Sequence, residues 1–246
     1  MTLYALGDIH GHIAKLDAAL ALIEADGGED AEIVFVGDYV DRGPDSRAVI
    51  DRLLDGQRAG RRWTCLKGNH DRLMEWFLDP AGPRQDPHIL VGYHWLHTAF
   101  GGAETLKSYG VSVPERIRLS DLADNARDRV PEDHIDFLRG LPLTREVGPL
   151  LFVHAGIRPG VPLHRQEEND LVWIREPFLE VGAALPRLVI HGHTPVEGPT
   201  HFGNRVAIDG GAAFDRPLVP VAFEESEVFT LTARGRVPLR PPGSPS

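Results

Sequence analysis

Aspartate, asparagine and histidine recur beside glycine in five clusters along this chain: Gly7-Asp8-Ile9-His10-Gly11, Gly37-Asp38-Tyr39-Val40-Asp41-Arg42-Gly43, Gly68-Asn69-His70-Asp71, His154-Ala155-Gly156 and Gly192-His193-Thr194. A soluble domain often carries one such cluster. Five in series point to one assembled site, and these residue types together suit two-metal chemistry on a phosphoester.

Residues so far apart in sequence need elements to bring them together. Each cluster sits where an apolar run stops, at residues 3–6, 33–36, 63–66, 150–153 and 188–190. Short, β-branched-rich runs ending near glycine predict buried strands. Glycine lets the backbone turn sharply and approach a ligand closely. Ligands of open α/β sheets gather beyond the carboxyl ends of the strands, so the polar residues are expected along one sheet edge.

A helix is expected after each of the first three clusters. Ile13, Leu16, Leu20 and Ile23 make one stripe; Ser46 caps a second helix carrying Val49, Ile50, Leu53 and Leu54; Leu73, Met74, Phe77 and Leu78 mark a third, stopped by Pro80. This alternation predicts a layered α/β domain. Residues 79 to about 140, rich in Pro, Gly, His and charge, read as a mostly helical insertion over the site, with helical pieces at 94–96, 101–110 and 133–138. Within it His94, Trp95 and Tyr109 are candidates to contact a substrate, or else to pack the insertion itself. Residues 205–209, 218–223 and 228–232 read as strands of a second sheet, and 236–246 as a disordered tail, leaving 1–235 as a single domain.

The chain has 246 residues, 42% of them hydrophobic, enough for one substantial core. No apolar run is long enough for a membrane span, and Met1 leads almost directly into the first strand, so no signal peptide is expected. Cys65 is the single cysteine, which rules out an intramolecular disulfide, fits a cytoplasmic location, and predicts a buried structural thiol. The formal net charge of −10 gives no footprint for nonspecific nucleic-acid binding.

In combination, GDIHG, GDYVDRG, GNHD, HAG and GHT, in this order over residues 7 to 194, resemble the phosphoprotein phosphatase family of calcineurin-like metallophosphoesterases, bacterial type. The resemblance implies a central β-sandwich flanked by helices, with a dinuclear metal centre at the sheet edge. Asp8 and His10 then resemble ligands of the first metal, Asp38 the carboxylate bridging both, and Asn69, His154 and His193 ligands of the second. Oxygen ligands mixed with imidazoles suit manganese, iron or zinc better than calcium, and manganese is the expected ion. The implied reaction is direct attack by a hydroxide held between the two ions, without a phosphoenzyme.

His70 resembles the family's general acid, with Asp41 accepting its other ring N–H. Arg42 is expected to grip phosphate oxygens. Arg175 is the first candidate for a second phosphate-binding arginine, and Arg158 a weaker one. His191 rivals His193, since a two-residue offset keeps the same strand face; the alignment on Gly-His-Thr favours His193. His12 is expected at the rim. In many calcineurin-like nucleases a further histidine follows the last motif; here that position is Pro195, and the Asp41-Arg42-Gly43 extension is present, so the protein phosphatase branch is favoured. The leading expectation is a serine/threonine protein phosphatase acting on phosphoproteins or phosphorylated small molecules. The alternative is a symmetrical diadenosine tetraphosphate hydrolase or a related nucleotide or polyphosphate phosphoanhydride hydrolase. A catalytically silent phosphate-binding module is the third reading.

Overall fold

A computed structural model describes residues 2–83, 85–182 and 185–243. The amino-terminal part alternates strand and helix: β1 (Leu3–Leu6), α1 (Ile13–Gly27), β2 (Glu32–Phe35), α2 (Ser46–Arg58), β3 (Trp63–Cys65) and α3 (Asn69–Leu78). The insertion follows, with α4 (Gly102–Ser108), α5 (Leu119–Arg127) and α6 (Glu132–Gly140). Then come β4 (Thr144–Val147), β5 (Leu150–Val153), α7 (Glu168–Trp173), β6 (Leu188–His191), β7 (Thr200–His201), β8 (Arg205–Ala207), β9 (Val221–Glu224), β10 (Glu227–Thr232) and β11 (Gly235–Pro238).

Two sheets pack face to face, in the orders β11-β10-β9-β1-β2-β3 and β4-β5-β6-β8-β7. The period-2 side-chain alternation explains the three-layered core. From β1 and β2, Leu3, Ala5 and Val34 meet Leu150, Phe152 and Ile190 of the other sheet. The intervening Tyr4, Leu6, Ile33 and Phe35 face α1–α3, and Leu151, Val153 and Val189 face outward onto Leu171 and Phe178. β1 and β5, buried on both faces, are therefore wholly apolar.

The two-sheet architecture corrects two expectations. The five clusters do not share one sheet edge: the first three follow strands of the first sheet, and the last two follow β5 and β6 of the second. Nor do the carboxy-terminal strands form the second sheet together. β8 joins it beside β6, but β9 pairs antiparallel with β1, placing Val221 and Phe223 opposite Ala5 and Leu3. Val221 and Phe223 thereby enter the inter-sheet layer.

Two smaller differences concern the insertion and the tail. Residues 94–96 form turns rather than helix, and α5, with its buried Leu122, Ala123 and Ala126, is an element the sequence reading did not anticipate. Arg236 to Pro238, assigned to the tail, belong to β11, which Arg236 anchors through Asp26 and Glu224; residues 244–246 lie outside the described residues. Cys65 is buried, as expected. Among the described residues no helix is long and apolar enough to cross a membrane.

Candidate metal and phosphoester site

The five clusters meet where the carboxyl ends of both sheets converge. Asp71, in the first turn of α3, ties two of them together: its carboxylate accepts backbone N–H groups of Asp38, Tyr39 and Gly68 at 2.7, 2.9 and 2.9 Å. Gly68 is required by this closeness, since a Cβ there would lie 2.2 Å from Asp38 Oδ1. Five of the seven non-glycine residues with positive φ among the described residues are His10, Asp38, Asp41, Arg42 and His193. Such strain concentrates where the surrounding fold over-determines a functional geometry.

Donor atoms of two trios lie within 4.8 Å of one another: His10, Asp38 and His70, and Asp8, Asp38 and His154. Asp38 belongs to both. Its Oδ2 is 3.6 Å from His10 Nε2, and its Oδ1 is 3.5 Å from His154 Nε2. Asn69 Oδ1 completes the second side, 2.9 Å from both His154 Nε2 and His193 Nδ1. Asp8, His10, Asp38, Asn69, His154 and His193 are thus brought together. His191 is not: its ring packs edge-on against Phe178, 5.1 Å between centroids, because it lies on the outward face of β6. His12 is half-buried at the start of α1.

The hydrogen-bond pattern tests whether this donor set fits metal ions. His10 Nδ1 donates to Val40 O and His154 Nδ1 to Val36 O, each at 2.9 Å, which leaves both Nε2 atoms as lone-pair donors. The His154 lone pair then confronts the Asn69 carbonyl oxygen at 2.9 Å. Two acceptors in contact call for a cation between them. His10 Nε2 is already met by a cation, the Arg42 guanidinium, whose Nη1 lies 2.8 Å away. Burial, then Asp209 and Asp38, push the Asp8 carboxyl well above its usual range; burial, then Asp71, do the same to Asp38. Burial drives His10 and His193 down, and His154 to about 3, so the imidazoles are neutral. Neutral imidazoles beside buried carboxyl groups that Arg42 only partly offsets are what divalent ions satisfy, and the set fits two.

His70 stands apart in its bonding. Its Nδ1 donates to Asp41 Oδ2 at 2.7 Å, and its Nε2 faces the site, 3.2 Å from Arg42 Nη2 and 4.0 Å from Asp38 Oδ2. Distance admits His70 to a ligand trio, and the Asp41 bond fixes the ring's tautomer and orientation, leaving the Nε2 lone pair turned to the site. Burial and Arg42 lower its proton affinity. Burial pushes Asp41 up to about 7, opposed by bonds from Thr105 and Trp95.

The candidate arginines separate. Arg42 bridges His10 and His70 over the site. Arg175 is exposed, and its charge acts on His193. Arg158 is committed elsewhere: Nε and Nη2 fork onto the Asp170 carboxylate at 2.6 and 2.5 Å, because Asp170 on α7 faces the loop after β5. Sequence reasoning missed Asp209, a buried carboxyl acting on Asp8. The signal was present, since β8 runs into Asp209-Gly210-Gly211 as the other strands run into their clusters. It also missed Trp95 and Thr105 as partners of Asp41, for which no local pattern exists.

A family model described as calcineurin-like phosphoesterase matches residues 1–209. A symmetrical bis(5'-nucleosyl)-tetraphosphatase of Bordetella parapertussis is 32% identical over 156 residues, 63% of this chain and 44% of the relative. An asymmetrical bis(5'-nucleosyl)-tetraphosphatase of Anoxybacillus flavithermus is 25% identical over 221 residues, 81% of this chain and 78% of the relative. The chain therefore spans less than half the length of the symmetrical relative. Among solved structures, a protein provisionally named a diadenosine tetraphosphatase superposes with a TM-score of 0.63 at 21% identity, covering 97% of this chain and 94% of the other. The cold-active protein-tyrosine phosphatase of a Shewanella species gives 0.63 at 16% identity, covering 97% and 80%.

Proposed function

The chain belongs to the calcineurin-like phosphoesterase family, and from that premise we propose that it hydrolyses the phosphoanhydride chain of bis(5'-nucleosyl) tetraphosphates with two divalent ions, manganese first among them. The observation that carries the substrate is that both kinds of curated relative, matched over different spans, are bis(5'-nucleosyl)-tetraphosphatases. The sequence alone favoured a serine/threonine protein phosphatase. The likeness to solved phosphatases supports the fold they share, not their substrates.

When bound, the ions would polarise the phosphoryl group and lower the pKa of water. Asp8 and His10 would hold one, Asn69, His154 and His193 the other, and Asp38 both. Arg42 lies over this cluster with a planar fork suited to phosphate oxygens, and Arg175 offers a second charge at the His193 side. His70 Nε2 faces the same space and would give a proton to the leaving oxygen, a reading supported by the Asp41 bond that holds the ring.

The test is a comparison of kcat/KM on one manganese-loaded preparation for diadenosine tetraphosphate, a phosphoserine peptide and polyphosphate. The dinucleotide should win by at least tenfold, about 1.4 kcal/mol of transition-state preference. A phosphopeptide preferred by that margin would restore the protein phosphatase reading. Products decide the cleavage position: ADP alone for symmetrical attack, ATP with AMP for asymmetrical attack.

A further inference from the structure

Asp41 is held by more than His70. Its Oδ2 also accepts the Trp95 indole N–H at 2.7 Å, and its Oδ1 accepts the Thr105 hydroxyl at 2.7 Å. Its own backbone N–H donates to Thr105 Oγ1 at 2.8 Å. Trp95 and Thr105 both come from the insertion, and Asp41 and Thr105 have no exposed surface. Trp95 is seated rather than loosely packed. Its ring lies against Phe77, 5.0 Å between centroids, and against Gly102, where a Cβ would meet the indole at 2.6 Å. Beside this seat, Gly101 O accepts the Arg42 N–H at 3.4 Å.

We propose that Trp95 and Thr105 are positioning residues for proton transfer: from the insertion they clamp both oxygens of Asp41, and through Asp41 they aim His70 Nε2 at the leaving oxygen. The clamp works by geometry. A carboxylate with a single partner can rotate about its terminal torsion; one fixed at both oxygens presents a single lone pair to His70 Nδ1–H. The insertion is therefore part of the catalytic assembly as well as a wall around it. This rests on the reading of His70 as general acid.

The test uses the full manganese-loaded chain with two substrates, phenyl phosphate, whose leaving group needs a proton, and 2,4-dinitrophenyl phosphate, whose leaving group does not. Trp95→Phe keeps the ring and removes the donor. It should lower kcat on phenyl phosphate by about tenfold, change kcat on dinitrophenyl phosphate by less than about twofold, and leave KM and metal content unchanged. Thr105→Val should repeat the pattern, which guards against a folding defect in the tryptophan variant. Added to His70→Asn, Trp95→Phe should cost nothing further. Equal losses on both substrates, or a full additional loss in the His70→Asn background, would reduce Trp95 to packing and overturn the proposal. If His70→Asn itself loses equally on both substrates, the acid assignment falls and the proposal with it. A leaving-group-dependent His70→Asn beside an indifferent Trp95→Phe sinks the clamp alone.

Discussion

Asp38 is the residue on which the candidate site turns, because its two oxygens face histidines on opposite sides. Asp38→Asn should remove ligation from both ions, so elemental analysis should show less than two manganese per chain and turnover should vanish. Asn69→Ala should weaken chiefly the His154–His193 side. One ion per chain in the fully active protein would refute the two-metal reading. His70 gives a second, separable prediction. His70→Asn should retain its metal while slowing hydrolysis of an alkyl phosphomonoester by about 10²–10⁴. The same change should slow cleavage of a dinucleoside tetraphosphate less, since a nucleoside polyphosphate leaves as a far weaker base than an alkoxide. Loss of metal from the His70 variant would make it a ligand, as its 4.0 Å approach to Asp38 permits.

At the scale of elements, the edge strand β11 depends on one arginine. Arg236 bonds the Asp26 carboxylate through Nε at 3.0 Å and Glu224 through Nη1 at 2.7 Å, joining β11 to α1 and β9. Asp26 also accepts the Tyr4 hydroxyl at 2.7 Å. The Arg236 bonds hold Asp26 below its ordinary 3.8, and burial with Asp26 pushes Tyr4 from 10.0 to about 12. The signs oppose. Asp26 contributes stability present above its unfolded pKa and lost as pH falls through its lower folded value. Tyr4 contributes stability present below 10.0 and lost as pH rises through about 12. Arg236→Ala should therefore cost about 1 kcal/mol near neutrality and flatten the acid limb of a pH–stability curve. An unchanged acid limb would show that the pair contributes nothing. Within the sandwich, Phe152 meets Phe223 of the opposite sheet edge-to-face at 5.7 Å, so Phe152→Ala should cost about 3–5 kcal/mol in chemical denaturation.

At the scale of the whole molecule, a buried charge pair ties the insertion and α7 to α3 beside the site. Arg72, two residues after His70 on α3, donates to Asp86 of the insertion at 2.6 Å and to Asn169 of α7 at 2.9 Å. Trp173 of α7 also donates to Asp86, at 3.1 Å. Arg72 and Asp86 are both almost fully buried. Asp86→Ala should leave the buried guanidinium to Asn169 and the half-exposed Glu168, 3.5 Å away, and destabilise the chain by about 2–4 kcal/mol, while the double change Asp86→Ala with Arg72→Met should recover much of that loss. A melting temperature unaffected by Asp86→Ala would mean that insertion and α7 dock independently of this pair.

The amino-acid sequence by itself determined which strands end in the candidate ligands, which side chains those are, and that they gather at one site. Local physics suffices there, because an apolar run buried on both faces, a glycine turn and a polar residue beside it are all encoded within about ten neighbouring positions. The helices after β1, β2 and β3 were legible for the same reason. Sheet membership was not. The alternation in Val221–Glu224 fits either sheet, and only the pairing with β1 selects one. Nor was it legible that His191 would pack on Phe178 while His193 reaches Asn69. Arg158 was lost to Asp170, and Trp95 and Tyr109 turned inward, Tyr109 to bond His134 at 2.9 Å. The clamp on Asp41 joins residues 54 and 64 positions apart, through side chains whose types, tryptophan and threonine, announce no chemistry. Partners that far apart are chosen by the packing of the whole chain, so tertiary structure alone decided which groups aim and buttress the residues that the sequence had already named.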